Sequence, residues 1–241
     1  MQSFRRMMIA LVALIALTAA TPAFAQNNTP PPGALGISFT PTPAPVPGQN
    51  EQGLGIFVQA GFVRGSTYSS TCPVSCGSGN ELKPTGFIVG VGFGGNKSGA
   101  FGIGVDINYI VKNADNATLV INGNPFTGTL KTQIIDIPIY GRVNFMGHST
   151  KSAPTLYVVF GGFVDILMKG DIGNTDIKDQ FNGFDVGPMG GIGFEVSRVG
   201  IEGRGMWAMK TLQNTGNNTF LNGMTESKVF TFVLLFKVRL N

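Results

Sequence analysis

The sequence is short of charge: Asp, Glu, Lys and Arg together make up only 12% of its 241 residues. Globular chains carry about twice that share. It holds one histidine, one tryptophan and two cysteines. The lone histidine argues against a His-rich metal centre, and the two cysteines cannot build a four-thiolate zinc site. No run of basic residues interleaves with aromatics, so nucleic acid is not an expected partner. No stretch keeps a 3.6-residue apolar period, so amphipathic helices are not expected.

Apolar residues reach 43%, with 35 glycines and 19 phenylalanines. That is too apolar for a disordered chain. It suits a barrel with lipid outside and a crowded interior.

Residues 1–25 read as a secretory signal peptide. Arg5 and Arg6 form the positive start, and Met7 to Ala20 the apolar run. That run is short for a bilayer span, although a retained anchor helix is the alternative. Ala23-Phe24-Ala25 supplies the small-x-small pattern, with cleavage expected between Ala25 and Gln26. Loss of the two arginines leaves 15 Lys and Arg from 17, against 13 acids, a net charge of +2. Residues 26–52 are rich in Pro, Asn and Gly and read as an extended periplasmic spacer.

From Gly53 to Asn241 the chain divides into segments of period-two alternation, expected as an all-β, eight-stranded antiparallel up-and-down barrel. Strands are predicted near 53–64, 85–95, 101–112, 132–145, 154–168, 185–196, 199–210 and 228–240. The connections alternate long and short, with long ones at 65–84, 113–131, 169–184 and 211–227. Outer-membrane barrels have short periplasmic turns and long external loops. An even strand number then puts both termini in the periplasm and four loops outside the cell. Pro138 falls inside strand four, where its missing N–H predicts a bulge.

The faces separate clearly in strand three. Phe101, Ile103, Val105, Ile107, Tyr109 and Val111 share one side; Gly102, Gly104, Asp106, Asn108 and Lys112 share the other. Volume decides which side is inward. An eight-stranded interior is just wide enough for side chains, so the crowded apolar face belongs outside. Aromatics near strand ends form two expected girdles. Phe93, Phe101, Phe145 and Phe194 mark the periplasmic rim; Phe62, Phe87, Tyr109, Trp207 and Phe230 mark the outer rim.

The inward face then carries Asp106, Asp136, Arg142, Asp165, Glu195, Glu202, Arg204, Lys237 and Arg239. A salt-bridge network filling the lumen is one reading, because an unpaired buried charge is costly. A narrow gated ion path is the other. Cys72 and Cys76 sit in the first long loop of an exported chain, which predicts a disulfide across a small ring. Free thiols or half a metal site are the alternatives. The sole histidine, His148, precedes Ser149 in a short turn and reads as a polar turn residue rather than a catalytic base. No cofactor and no resident metal are implied.

Three stretches resemble the bacterial outer-membrane β-barrel domain family of the small PorT-like kind. They are Ile135-Asp-Ile-Pro-Ile-Tyr140, Phe184-Asp-Val-Gly187 with Gly190-Gly-Ile-Gly-Phe-Glu195, and Ile201-Glu-Gly-Arg-Gly205. The resemblance spans residues 53–241 and implies an outer-membrane barrel without one fixed activity. Many such barrels end on an aromatic residue read by the insertion machinery, whereas this chain ends Leu240-Asn241. The expected partners are outer-membrane lipid, the barrel-insertion machinery and an unspecified protein partner. The expected role is a non-catalytic anchor with surface loops. A small gated pore or transport accessory, a lipid-modifying enzyme and a soluble periplasmic barrel are the alternatives.

Overall fold

The computed structural model describes residues 55–69, 82–94, 100–121, 124–145, 154–212, 219–221 and 227–240. The leader, the spacer, Cys72, Cys76, His148 and Ser149 lie outside the described residues.

The described strands are β1 (Ile56–Ser69), β2 (Thr85–Gly94), β3 (Phe101–Ile121), β4 (Asn124–Asn144), β5 (Thr155–Ile172), β6 (Thr175–Asp176), β7 (Phe184–Val196), β8 (Val199–Trp207), β9 (Thr219–Leu221) and β10 (Ser227–Arg239). Eight of them close a ring in the order β1-β2-β3-β4-β5-β7-β8-β10, with β10 returning to β1, all antiparallel. β6 pairs with the end of β5, and β9 with the end of β3. The expected eight-stranded antiparallel barrel is therefore the observed one.

Two expectations need correction. Segment 113–131 is not a loop: β3 and β4 run on as one long hairpin, with only residues 122–123 between them. β5 likewise continues to Ile172 and turns at Gly173, which holds a positive φ of +57°. Beyond the lipid belt these strands lose the apolar outer face that marks a membrane strand, so Asn, Asp and Thr there read as turn residues.

The second correction concerns Pro138. No register shift occurs there; β4 stays in one register with β3 on both sides. Instead the two pairs that would join Asp106 and Ile107 to Pro138 and Ile137 are absent from the β3 ladder, while Pro138 still stands opposite Phe163 on β5. A proline lacks one N–H, and the ladder here accommodates that loss without inserting a residue.

The true bulges lie higher. One falls between Ala114 and Ala117 on β3, where Asn116 takes a left-handed φ of 56°. Asparagine tolerates that region better than most residues. The other gives β5 an extra residue, Met168, opposite the Gln133–Ile134 step of β4. A bulge shifts side-chain parity by one. Inward positions therefore pass from Lys112 and Ala114 to Ala117 on β3, and from Asp165 to Gly170 and Ile172 on β5. The bulges turn small and aliphatic residues into the barrel mouth.

Candidate functional site

Among the described residues, chemistry-bearing side chains converge in the lumen, which is built in layers. At the end with the short turns lies a layer of charges. Arg204 Nη2 meets Asp106 Oδ2 at 2.6 Å, and Arg204 Nε also contacts Glu202 Oε1. Lys237 Nζ reaches Glu202 Oε2 at 2.9 Å. Arg142 Nη1 meets Glu195 Oε2 at 3.0 Å, and Arg239 Nε meets Glu195 Oε1 at 3.1 Å. Four cations thus serve three carboxylates, nearly all of them buried.

Two tyrosines that are not among the charged residues singled out from the sequence complete this layer. The Tyr140 hydroxyl donates to Asp106 at 3.0 Å, and that of Tyr157 to Glu202 at 2.8 Å. Their rings carry guanidinium groups as well: Arg142 lies 3.6 Å from the Tyr157 centroid and Arg204 4.7 Å from that of Tyr140. Both rings fit because a glycine lies beneath each. A Cβ on Gly104 would come within 2.6 Å of Tyr140 Cζ, and one on Gly193 would overlap the Tyr157 ring. The signal was present in the sequence, since Tyr140 has the parity of Asp136 and Arg142.

Above the charges sits an apolar cluster that includes Val63, Ile88, Ile110, Phe163, Met206 and Leu235. Through it runs a short chain of amides: Gln59 Nε2 donates to Asn108 Oδ1 at 2.6 Å, and Asn108 Nδ2 to Asp136 Oδ2 at 2.9 Å. Next comes a second polar layer. Asp136 stands opposite Asp165, which stands opposite Asp185, on β4, β5 and β7. Lys112 Nζ donates to Thr231 Oγ1 at 2.9 Å on the same level. Asp136 and Asp165 thus belong to a separate layer from the seven other charged residues singled out from the sequence. Asn108 and Lys112 lie on the inward face that the alternation of strand three assigned to them, whereas Gln59 and Asp185 are further inward polar residues not singled out from the sequence.

The mouth closes with a second apolar cluster. Leu82, Ala114, Ala117, Leu130, Ile172, Ile177 and Phe181 pack there. A 3-10 turn, Lys178–Gln180, delivers Phe181 into it, and Asn182 fixes the following segment by donating its backbone N–H to Leu212 O at 3.1 Å.

The outer face is the reverse of this. Phe93, Phe101, Phe145 and Phe194 are exposed near the turn end. Phe62, Phe87 and Trp207 are exposed toward the other end, with Tyr109 and Phe230 half-exposed. Phe101 is 73% exposed and Phe62 66%, which in water would be a heavy apolar penalty. Phe62 lies opposite Phe87, and Trp207 packs against Phe230 with centroids 5.1 Å apart. A ring of eight strands, apolar outside and charged within, is the inverse of a soluble protein.

The family model for the outer membrane protein β-barrel domain matches residues 24–214. The chain belongs to this family. It is an outer-membrane barrel, and the apolar belt faces lipid. Among solved structures it is similar to the Neisserial surface protein A, at 13% identity and a TM-score of 0.44, over 76% of this chain and 96% of that one. It is similar to Ail, the attachment invasion locus protein of Yersinia pestis, at 9% identity and a TM-score of 0.40, over 77% and 98%. It is also similar to OprG of Pseudomonas aeruginosa, at 11% identity and a TM-score of 0.41, over 79% and 96%. No curated protein matches the sequence.

Proposed function

We propose that this outer-membrane barrel is a closed, non-catalytic anchor that presents its extended hairpins and loops outside the cell. The observation that carries the reading is the stacking inside the ring. A paired charge layer, an apolar cluster, a carboxylate layer and a second apolar cluster follow one another along the lumen. A conducting path needs hydrated space at every level, and eight strands leave little of it. The lumen carboxylates Glu195, Glu202 and Asp106 are held by cations, an arrangement that favours rigidity over proton transfer.

The orientation belongs to the same proposal. The turn end holds both outermost strand ends, so it faces the periplasm, and the β3–β4 hairpin and the β5–β6 turn face outward. The aromatic residues Phe93, Phe101, Phe145 and Phe194 then meet the periplasmic headgroup level. Phe62, Phe87, Tyr109, Trp207 and Phe230 meet the outer one.

Planar-bilayer recording tests closure. The anchor reading expects silence from the purified protein and from Arg142→Ala alike. Discrete conductance steps in the parent protein would replace the anchor by the transport reading. An epitope inserted after Asn174 tests orientation: antibody should bind intact cells. Binding only after the outer membrane is permeabilised would invert the barrel.

A further inference from the structure

Strands β2, β1 and β10 are neighbours in the ring, and none of the three contains an Asp or a Glu. Their outer face nevertheless carries cations at the end away from the short turns. Arg64 is exposed on β1, opposite Thr85 of β2 and Phe232 of β10. Lys228 has the outward parity of Phe230 and Phe232. Lys83 joins them. Gly65 N–H donates to Pro84 O at 2.6 Å and Thr67 N–H to Leu82 O at 3.0 Å, which places Lys83 beside Ser66. Leu82 is buried in the mouth, so the exposed Lys83 points to the outer side. The β4–β5 sector at the same end is balanced instead. Lys131 stands opposite Asp171, and Lys169 Nζ meets Asp171 Oδ2 at 2.6 Å.

A charge on the lipid face is costly at mid-depth and costs little at the interface, where long basic side chains reach the headgroups. Arg64 lies two positions beyond Phe62, one of the outer aromatic residues. Beside Arg64 the surface is hollowed. Phe62, Arg64, Thr85, Phe232 and Leu234 line a groove whose walls are mainly apolar. Such a groove accepts an acyl chain. A guanidinium at its head grips a phosphate with two parallel N–H donors.

We propose that this sector binds one phosphate-bearing lipid, with the phosphate on Arg64, Lys83 and Lys228 flanking it, and an acyl chain in the groove. A zwitterionic lipid brings its own cation to a cluster of cations. A free phosphate makes no use of the apolar walls. The inference rests on the orientation proposed above for the choice of leaflet: with this end outside the cell, the lipid belongs to the outer leaflet.

The chain has a single tryptophan, Trp207, and it packs against Phe230, which lies opposite Ser66 of β1. Its fluorescence therefore reports the lipid beside this sector. The test refolds the protein into phosphatidylcholine vesicles and measures quenching of Trp207 by lipids brominated on an acyl chain. Brominated phosphatidic acid should quench at a lower mole fraction than brominated phosphatidylcholine, and added inorganic phosphate should not reverse it. Arg64→Gln and Lys228→Gln should each lower that preference about fivefold, the contribution of one basic side chain at an anionic lipid surface. Thr85→Phe fills the groove without changing charge and should lower it too. Lys131→Gln, in the balanced sector, should leave it unchanged. Equal quenching by the two lipids overturns the proposal. So does an equal loss in Lys131→Gln, which would mean a diffuse charge effect, or reversal by inorganic phosphate, which would mean an anion site without a lipid. Folding of each variant is checked by its mobility on an unboiled gel. If Arg64→Gln does not fold, an unchanged preference in both Lys228→Gln and Thr85→Phe overturns the proposal by itself. An inverted barrel shows at the Asn174 epitope and not in this quenching, so the two failures are separable.

Discussion

The Tyr157 hydroxyl donates to Glu202 at 2.8 Å across the turn end of the lumen, while the face of its ring carries Arg142. Glu202 therefore holds three partners at once: Tyr157, Lys237 and Arg204. Tyr157→Phe removes one neutral donor and keeps the ring, and should cost about 1 kcal/mol. Glu202→Leu removes the carboxylate that holds the buried Lys237 and leaves Arg204 with Asp106 alone, and should cost about 3–5 kcal/mol. Urea unfolding in micelles, followed by the unboiled gel shift, gives both numbers. Equal losses for the two variants would show that Glu202 contributes no more than its tyrosine hydrogen bond.

The same tyrosine sets a demand on its neighbour. A Cβ on Gly193 would overlap the Tyr157 ring. Gly193→Ala should destabilise by about 1–3 kcal/mol, as overpacking does. Tyr157→Leu in the same chain should recover part of that loss. Two costs that simply add in the double variant would mean that the ring and the glycine are independent.

At the bulge on β3, Asn116 has a φ of 56°. Asn116→Gly should be close to neutral, and Asn116→Val should cost on the order of 1–2 kcal/mol. A valine variant as stable as the parent would mean that the bulge relocates at no cost.

Lipid exposure makes a depth-dependent prediction on one strand. Ile107 lies on the outer face of β3, three steps of the side-chain alternation beyond Phe101, which lies at its turn end. Ile107→Arg should cost about 2–4 kcal/mol and Phe101→Arg about 1 kcal/mol or less. Refolding equilibria in lipid vesicles measure both, and the reverse order would place the belt elsewhere along the strand.

Phe181 belongs to the apolar cluster at the mouth. Phe181→Ala should cost about 3–5 kcal/mol if the mouth packs as a true core. Little loss, read by thermal scanning of the unboiled gel shift, would mean that the turn from Lys178 to Gln180 opens freely.

Much of this architecture is legible in the sequence. Strand parity placed Asp106, Glu202 and Arg204 inside and Phe101 and Ile103 outside, because a β-strand alternates with period two whatever its neighbours do. The volume of an eight-stranded ring then chose which face met lipid. The upper halves of β3, β4 and β5 were not legible. Outside the lipid belt nothing enforces an apolar outer face, so a paired hairpin reads as a loop.

The sequence by itself determined the class, the number of barrel strands and the sorting of residues between lumen and lipid, since each follows from local alternation and composition. Only the tertiary structure decided which charges meet. Arg204 and Asp106 are far apart in the chain, on strands β8 and β3 that are not neighbours in the ring, and no local pattern fixes their approach. It also decided that Asp136, Asp165 and Asp185 share one level. Cross-strand register depends on closing the whole ring, and one bulged residue anywhere in a strand shifts every pairing beyond it.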